Sequence, residues 1–241
     1  MKTIGLIGGM SFESTAVYYQ TLNKLVRERV GGLASAEILL HSVNFAEIVA
    51  LQKAGDWTKA GDRLASIASG LEAAGADCIL ICTNTMHKVA DRVRSSLGVP
   101  LIDIIEETAG ALSRAGKNRP LLLATRYTME DGFYHRAMHR AGIEVMVPAE
   151  PDRTRVHDII FDELCAGKVI DTSRTQLLDI IARAAVAGAD SVILGCTEIC
   201  MILDPQDLPL PGFDSTAIHC AAATRFSLDA AAPLESPRKY A

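Results

Sequence analysis

The chain has 241 residues, 49% of them hydrophobic and 22% charged, with 24 Lys plus Arg against 29 Asp plus Glu for a net charge of −5. That length fits one large domain or two small ones, and the composition is globular rather than disordered. The acidic balance gives no electrostatic reason to expect nucleic acid or an anionic membrane as partner. No stretch approaches the ~20 apolar residues of a membrane span. Residues 1–10, MKTIGLIGGM, lack the pattern of a signal peptide. Six cysteines are too few for a disulfide scaffold. A reducing cytoplasm is expected, with cysteines serving as packing residues, metal ligands or catalysts.

In chain order, strands are expected over 3–7, 38–41, 78–81, 101–103, 121–124, 144–147, 191–194 and 210–213. These runs are apolar without clean alternation, as in strands covered on both faces. Amphipathic stretches lie between them. Leu64, Ile67, Ala68 and Leu71 follow the helical period, as do Leu177, Ile180, Ile181 and Ala184. The alternation predicts an α/β protein with parallel sheets.

The sequence repeats itself. AGAD at 74–77 and again at 187–190 follows a helix and precedes an apolar strand, and each strand leads to a Cys-Thr pair, Cys82-Thr83 and Cys196-Thr197, with spacings that differ by one residue. VPLID ending at Asp103 parallels LPGFD ending at Asp214. A duplication of about 115 residues is too long for a solenoid repeat. It predicts two similar Rossmann-like parallel α/β lobes related by a pseudo-two-fold axis, with the active site between them. Lobe 1 is expected over 1–99 plus 209–228 and lobe 2 over 100–208, with 229–241, containing Pro233 and Pro237, as a loosely held tail.

In parallel α/β sheets ligands bind beyond the carboxyl ends of the strands. Cys82 and Cys196 sit at such ends, each before a helix whose N-terminal amides favour a thiolate. Taken singly, each is as readily a buried packing cysteine. At equivalent repeat positions they read as a pair across the interlobe cleft, one removing an α-proton as thiolate and the other returning a proton from the opposite face. Cys78, Cys165, Cys200 and Cys220 lack that symmetry and read as packing.

No metal pattern stands out. Cys78/Cys82 and Cys196/Cys200 are not zinc spacings, and His135 and His139 flank Arg-Ala-Met rather than a Glu. Gly5, Gly8 and Gly9 do not match a dinucleotide fingerprint, and no P-loop lysine is present. No lysine stands out as a pyridoxal phosphate ligand. No metal site is therefore expected, and the residues alone leave pyridoxal phosphate open.

GLIGGMS at 5–11, CTNTMH at 82–87 and GCTEI at 195–199 resemble the aspartate/glutamate racemase family over about residues 3–226. The resemblance implies two α/β lobes, a cofactor-independent amino-acid racemase, a small amino-acid substrate, aspartate or glutamate first, and a homodimer. It makes Cys82 and Cys196 the acid/base pair and places Met10, Ser11, Thr83, Asn84, Thr85, Thr125, Thr197 and Glu198 around the substrate. Single-cysteine relatives include decarboxylases and L-selective racemases. Lys168 matches a position where relatives of acidic specificity place a cation, and Gln52 stands where aspartate-specific ones carry an Arg. That exchange opens a broader reading, with neutral amino acids or homoserine as substrate. A hydantoin racemase or maleate isomerase, and a non-catalytic amino-acid binder, are further alternatives.

Physical roles fit beside the resemblance. Thr83, Asn84, Thr85 and the amides after Cys82 can donate to the substrate carboxylate as charge grows on it; Asn84 and Thr85 equally suit helix capping. Glu198 can accept from the ammonium or complement a helix dipole. The charged segment 149–160 reads as a mobile lid or as a solvated loop.

Overall fold

The computed structural model describes residues 1–229. The expected tail therefore lies, from residue 230 on, outside the described residues. Four parallel strands form the first sheet in the order β2 (Ile38–Ser42), β1 (Ile4–Gly8), β3 (Cys78–Ile81), β4 (Leu101–Ile102). Three more form the second, in the order β5 (Pro120–Leu123), β6 (Ser191–Leu194), β7 (Gly212–Asp214). All three central strands, β1, β3 and β6, are buried throughout. This is the continuous-run pattern of a sheet covered on both faces.

In the first lobe, α2 (Phe45–Ala54), α3 (Trp57–Ala73) and α4 (Ala90–Arg94) cover one face through Ile48, Leu64, Ala68 and Val93. On the other face, α1 (Phe12–Val30) and α10 (Ser215–Leu228) bury Tyr18, Leu22, Cys220 and Ala223 against Ile4, Leu6 and Leu80. The second lobe packs α5 (Ile104–Arg114), α6 (Arg126–Glu130), α7 (Phe133–Arg140), α8 (Asp152–Asp158) and α9 (Asp171–Val186) around β5 and β6. Each buried Leu or Ile contributes about 1.5–3 kcal/mol of hydrophobic stabilisation.

The repeat is structural. The aspartate of each AGAD clamps the start of the neighbouring strand. Asp77 accepts from the Thr3 amide at 2.7 Å, and Asp190 accepts from the Asn118 and Arg119 amides at 2.9 and 3.1 Å. The two lobes then run in the same register from that clamp.

The expected strands differ from the observed ones in two ways. Residues 144–147 form only one bridge beside β5, Leu121 with Met146. The Glu144 and Met146 amides donate to Asn118 and Pro120 at 2.8 Å each, but the next donor in that ladder would be residue 148, a proline without an N–H. The sheets also cut the chain differently from the expected lobe boundaries. β4, expected in lobe 2, pairs with β3 in the first sheet, and β7, expected in lobe 1, pairs with β6 in the second. Each lobe's last strand hands its following helix across, so α5 packs in the second lobe and α10 returns to the first. Segment 149–160 is mostly helical. α8 runs into a π-helical turn, Ile159–Glu163, and then a 3-10 turn, Leu164–Ala166.

Candidate active site

Between the carboxyl ends of β3, β5 and β6 lies a narrow cleft of about 30 Å³. Its wall is built by Met10, Gln52, Thr83, Asn84, Thr85, Thr125, Cys196, Thr197 and Glu198, together with Phe45, Ile160, Phe161, Cys165 and Gly195. Both lobes contribute. The loop after β1 reaches it because Gly9 has φ +85° and passes so close to Val43 that a Cβ would sit 2.3 Å from the Val43 carbonyl oxygen.

The polar contacts of the cleft gather on Cys196 and Glu198. The Cys196 Sγ donates to Glu198 Oε2 at 3.0 Å, the Thr197 hydroxyl donates to the same oxygen at 2.7 Å, and Ser11 Oγ donates to Glu198 Oε1 at 2.6 Å. Glu198 is buried. Ser11 also caps α1 by accepting from the Ser14 amide. Ser11 thus stands behind Glu198 rather than on the wall, and its bond ties the first lobe to the second. Burial pushes the Cys196 thiol well above its ordinary range, and the neighbouring Glu198 carboxylate pushes the same way. The cysteine therefore rests as a thiol whose S–H points at the Glu198 carboxylate.

Cys82 is elsewhere. Its side chain is fully buried with Ile4, Leu6, Tyr18, Leu22 and Cys220, in the layer under α1 and α10, and burial raises its pKa strongly. The physical reason is strand alternation. The Cys82 amide donates to Ile7 O and the Gly195 amide to Leu123 O, so Cys82 is the counterpart of Gly195 and Thr83 that of Cys196. Consecutive residues at a strand end point to opposite faces, and a one-residue shift exchanges core for cleft. At Gly195 a Cβ would meet Leu122 Cδ1 at 2.5 Å and crowd Ala124 Cβ and the Leu123 carbonyl at 3.2 and 3.3 Å, so a side chain at that position would have to displace Leu122. Of the expected Cys82–Cys196 pair, the structure puts Cys196 on the cleft wall and Cys82 in the core behind it, and Thr83 faces the cleft from the first lobe. Counting from AGAD, rather than matching the two Cys-Thr pairs, gives this register from the sequence.

The wall around Thr83 is held rigidly. His87 Nε2 accepts from the Ile104 amide at 3.2 Å, which leaves Nδ1–H to donate to the Thr83 carbonyl at 2.8 Å. Three buried hydroxyls meet across the lobes. Thr85 Oγ1 lies 2.8 Å from Thr125 Oγ1 and 3.1 Å from Thr128 Oγ1, and Thr125 caps α6. With Asn84 bonded to Ser215 and Lys88 to Asp131, these contacts close the lobes on each other. A buried neutral bond contributes about 0.5–1.5 kcal/mol and a charge-assisted one about 1.5–3.

The remaining wall is apolar apart from Gln52. This residue is buried, and its Nε2 donates to Met86 Sδ at 3.3 Å, a weak acceptor. The sequence does not place Phe45, Ile160, Phe161 and Cys165 here; Phe45 starts α2, Ile160 and Phe161 lie in the π-helical turn, and Cys165 lies in the 3-10 turn after it. Such π-helical turns recur at functional sites, but apolar residues in them carry no motif. Burial raises Cys165 to about 12. The stretch is pinned by Arg155, which bonds Glu163 and Ser173 at 3.1 Å each and Gln176 at 2.7 Å. Lys168 is exposed on the following loop, outside the wall. No Lys, Arg or His lines the cleft among the described residues. No group of three metal-ligating side chains exists among them either. His135 is half-buried and His139 exposed on α7.

The sequence profile described as Asp/Glu/Hydantoin racemase matches residues 7–223. The chain belongs to this family. A crystal structure of an Asp/Glu racemase candidate from Yersinia pestis is 47% identical, with a TM-score of 0.88 over 95% of this chain and 100% of that one. An aspartate racemase homologue from Pyrococcus horikoshii OT3 is 33% identical, with a TM-score of 0.83 over 94% of this chain and 99% of that one. Among curated proteins, the broad specificity amino-acid racemase RacX of Bacillus subtilis (strain 168) is 27% identical over 158 residues, 65% of this chain and 66% of that protein. The match thus spans just under two thirds of RacX. Among the described residues no helix is long and apolar enough to cross a membrane.

Proposed function

We propose that this racemase-family protein inverts the α-carbon of a free amino acid without a cofactor, using Cys196 on one face and Thr83 on the other. The observation that carries the reading is a thiol from one lobe and a hydroxyl from the other on the wall of one narrow cleft, with the Glu198 carboxylate 3.0 Å from the thiol. Glu198 takes the Cys196 proton; the thiolate takes the α-proton. Charge then grows on the substrate carboxylate, where the amides after Thr83 and the Thr85 and Thr125 hydroxyls can donate. One such donor is worth about 3–4 kcal/mol in a buried site. The Thr83 hydroxyl protonates the opposite face and regains a proton from water, and Glu198 gives the proton it took to the hydroxide so formed, so that every group ends as it began. A hydroxyl serves as this acid far better than as the initial base, so Cys196 is the stronger of the two groups.

The wall favours a broad or neutral substrate over aspartate or glutamate. A side-chain carboxylate buried there would lack a cation, a costly arrangement, whereas the Gln52 amide and the Phe45, Ile160 and Phe161 surfaces suit an uncharged chain. RacX, a relative named for broad specificity, supports the same choice. For an acidic substrate, Lys168 would have to swing in from its exposed loop. A homodimer and a reducing cytoplasm complete the proposal. Phe12 at 70% and Leu33 at 99% exposure offer apolar surface for a second copy, and all six cysteines are free. The test is racemisation of an L-amino-acid panel, followed by circular dichroism, after dialysis against hydroxylamine and EDTA. Neutral substrates should turn over faster than aspartate and glutamate, with no restoration by pyridoxal phosphate or metal needed. Turnover of none, or only after such restoration, would overturn the reading.

A further inference from the structure

Asn84 is buried on the cleft wall, yet its Oδ1 has no hydrogen-bond partner. Its Nδ2 donates to Ser215 Oγ at 3.0 Å. Ser215 is completely buried at the start of α10, and its own hydroxyl donates to the Leu194 carbonyl at 2.8 Å. A serine has one proton. With that proton committed to Leu194, Ser215 can only accept from Asn84, so the amide cannot flip. The free Oδ1 is then a buried acceptor on a residue of the cleft wall, and an unmet buried acceptor costs stability until a donor arrives.

From this chain of bonds we infer that Ser215 is a positioning residue, and that it holds Asn84 with Oδ1 as the acceptor for the substrate's α-ammonium group. The inference rests on the amino-acid reading above and adds a division of labour within the wall. Backbone amides and hydroxyls around Thr85 and Thr125 donate to the carboxylate, and Asn84 Oδ1 accepts from the ammonium. An ammonium donates and cannot accept; a carboxylate accepts and cannot donate. An amide locked in one orientation therefore distinguishes the two ends of the α-carbon and fixes which face meets Cys196. The lock also spans the machinery. Leu194 ends β6, two residues before Cys196, while Asn84 follows Thr83, so Ser215 joins the strand end bearing the thiol to the turn bearing the hydroxyl.

The test uses calorimetric binding of L-norvaline and of pentanoate, which lacks the ammonium, to the full-length protein. Racemisation itself releases no net heat, and binding is read without turnover. A protein that binds norvaline but racemises nothing would overturn the proposed function and leave this inference standing. Wild type should prefer norvaline. Ser215→Ala and Asn84→Ala should each reduce that preference about tenfold, and the double variant no further, since Ser215 acts through Asn84. Ser215→Thr, which keeps the hydroxyl, should retain the preference. Asn84→Asp gives a second reading that does not depend on the folding of Ser215→Ala. It should keep norvaline binding and weaken pentanoate, because a carboxylate accepts from ammonium and repels carboxylate. An unchanged preference in Ser215→Ala, additive losses in the double variant, or loss of norvaline by Asn84→Asp would each overturn the inference.

Discussion

The ends of β3 and β6 are the same structure with different occupants. Both strands follow an AGAD turn whose aspartate clamps the neighbouring strand, and both pass a backbone bond to the first strand of their lobe before turning into the cleft. In the first lobe the penultimate position is Cys82 and the cleft position Thr83; in the second they are Gly195 and Cys196. The residue type alone does not decide which cysteine faces the cleft. Direction does, and direction follows from counting residues along a strand of period two. Cys82 has Tyr18 and Cys220 for neighbours; Cys196 has a carboxylate and an opening.

The largest expected effect comes from removing the thiol. Cys196→Ser should lower kcat by about a thousandfold or more, because a serine hydroxyl is a far weaker base at neutral pH. Near-normal turnover by this variant, measured by polarimetry, would remove the thiol from the mechanism. Next is the opposite wall. Thr83→Cys places a thiol at each equivalent position and should raise kcat about tenfold if the hydroxyl limits proton return. No change, or a loss with the fold intact, would mean that Thr83 does not deliver the proton. Glu198→Gln should lower kcat about ten- to a hundredfold by removing the proton acceptor. The same change should speed iodoacetamide labelling of Cys196, since the carboxylate is one of the causes holding the thiol's pKa up. Slower labelling would reverse the assigned sign.

Smaller effects come from residues off the cleft wall. His219 is wholly buried, with Nε2–H donating to Ile102 O and Nδ1 accepting from Tyr18. Burial first, then the neighbouring His87, pushes its pKa down to about 3. In the unfolded chain a histidine titrates near 6.5, so between these values only the unfolded state takes the proton, and stability falls as pH drops from about 6.5 towards 3. Above that window His219 contributes no pH dependence. His219→Gln should flatten the acid limb in urea titrations at several pH values; an equally steep limb would assign acid sensitivity to other groups. Lys168→Ala should change kcat/KM for a neutral substrate by less than about twofold, as befits an exposed residue off the wall. A selective loss on aspartate would bring Lys168 back to the substrate.

Much of this is legible in the sequence. The apolar runs mark most strands because a doubly covered strand must be apolar throughout, and Pro148 shows why 144–147 pairs so briefly. The motifs around residues 82–87 and 195–199 mark the cleft, since chemistry needs particular polar types there. The register of Cys82 is legible too, but only from the AGAD turns. The rest is not. Phe45, Ile160 and Phe161 reach the cleft through tertiary packing, and apolar side chains look alike in a sequence whether they face a substrate or a core. The role of Ser215 depends on where its single proton goes, which only the neighbouring Leu194 carbonyl decides.

The comparison of the two strand ends stands or falls on Cys82. Its direct test is the initial rate of racemisation by Cys82→Ala, with folding checked by thermal melting. The account predicts a rate within about threefold of wild type and a stability loss of about 1 kcal/mol from the small buried void. A folded Cys82→Ala protein as inactive as Cys196→Ser would contradict it.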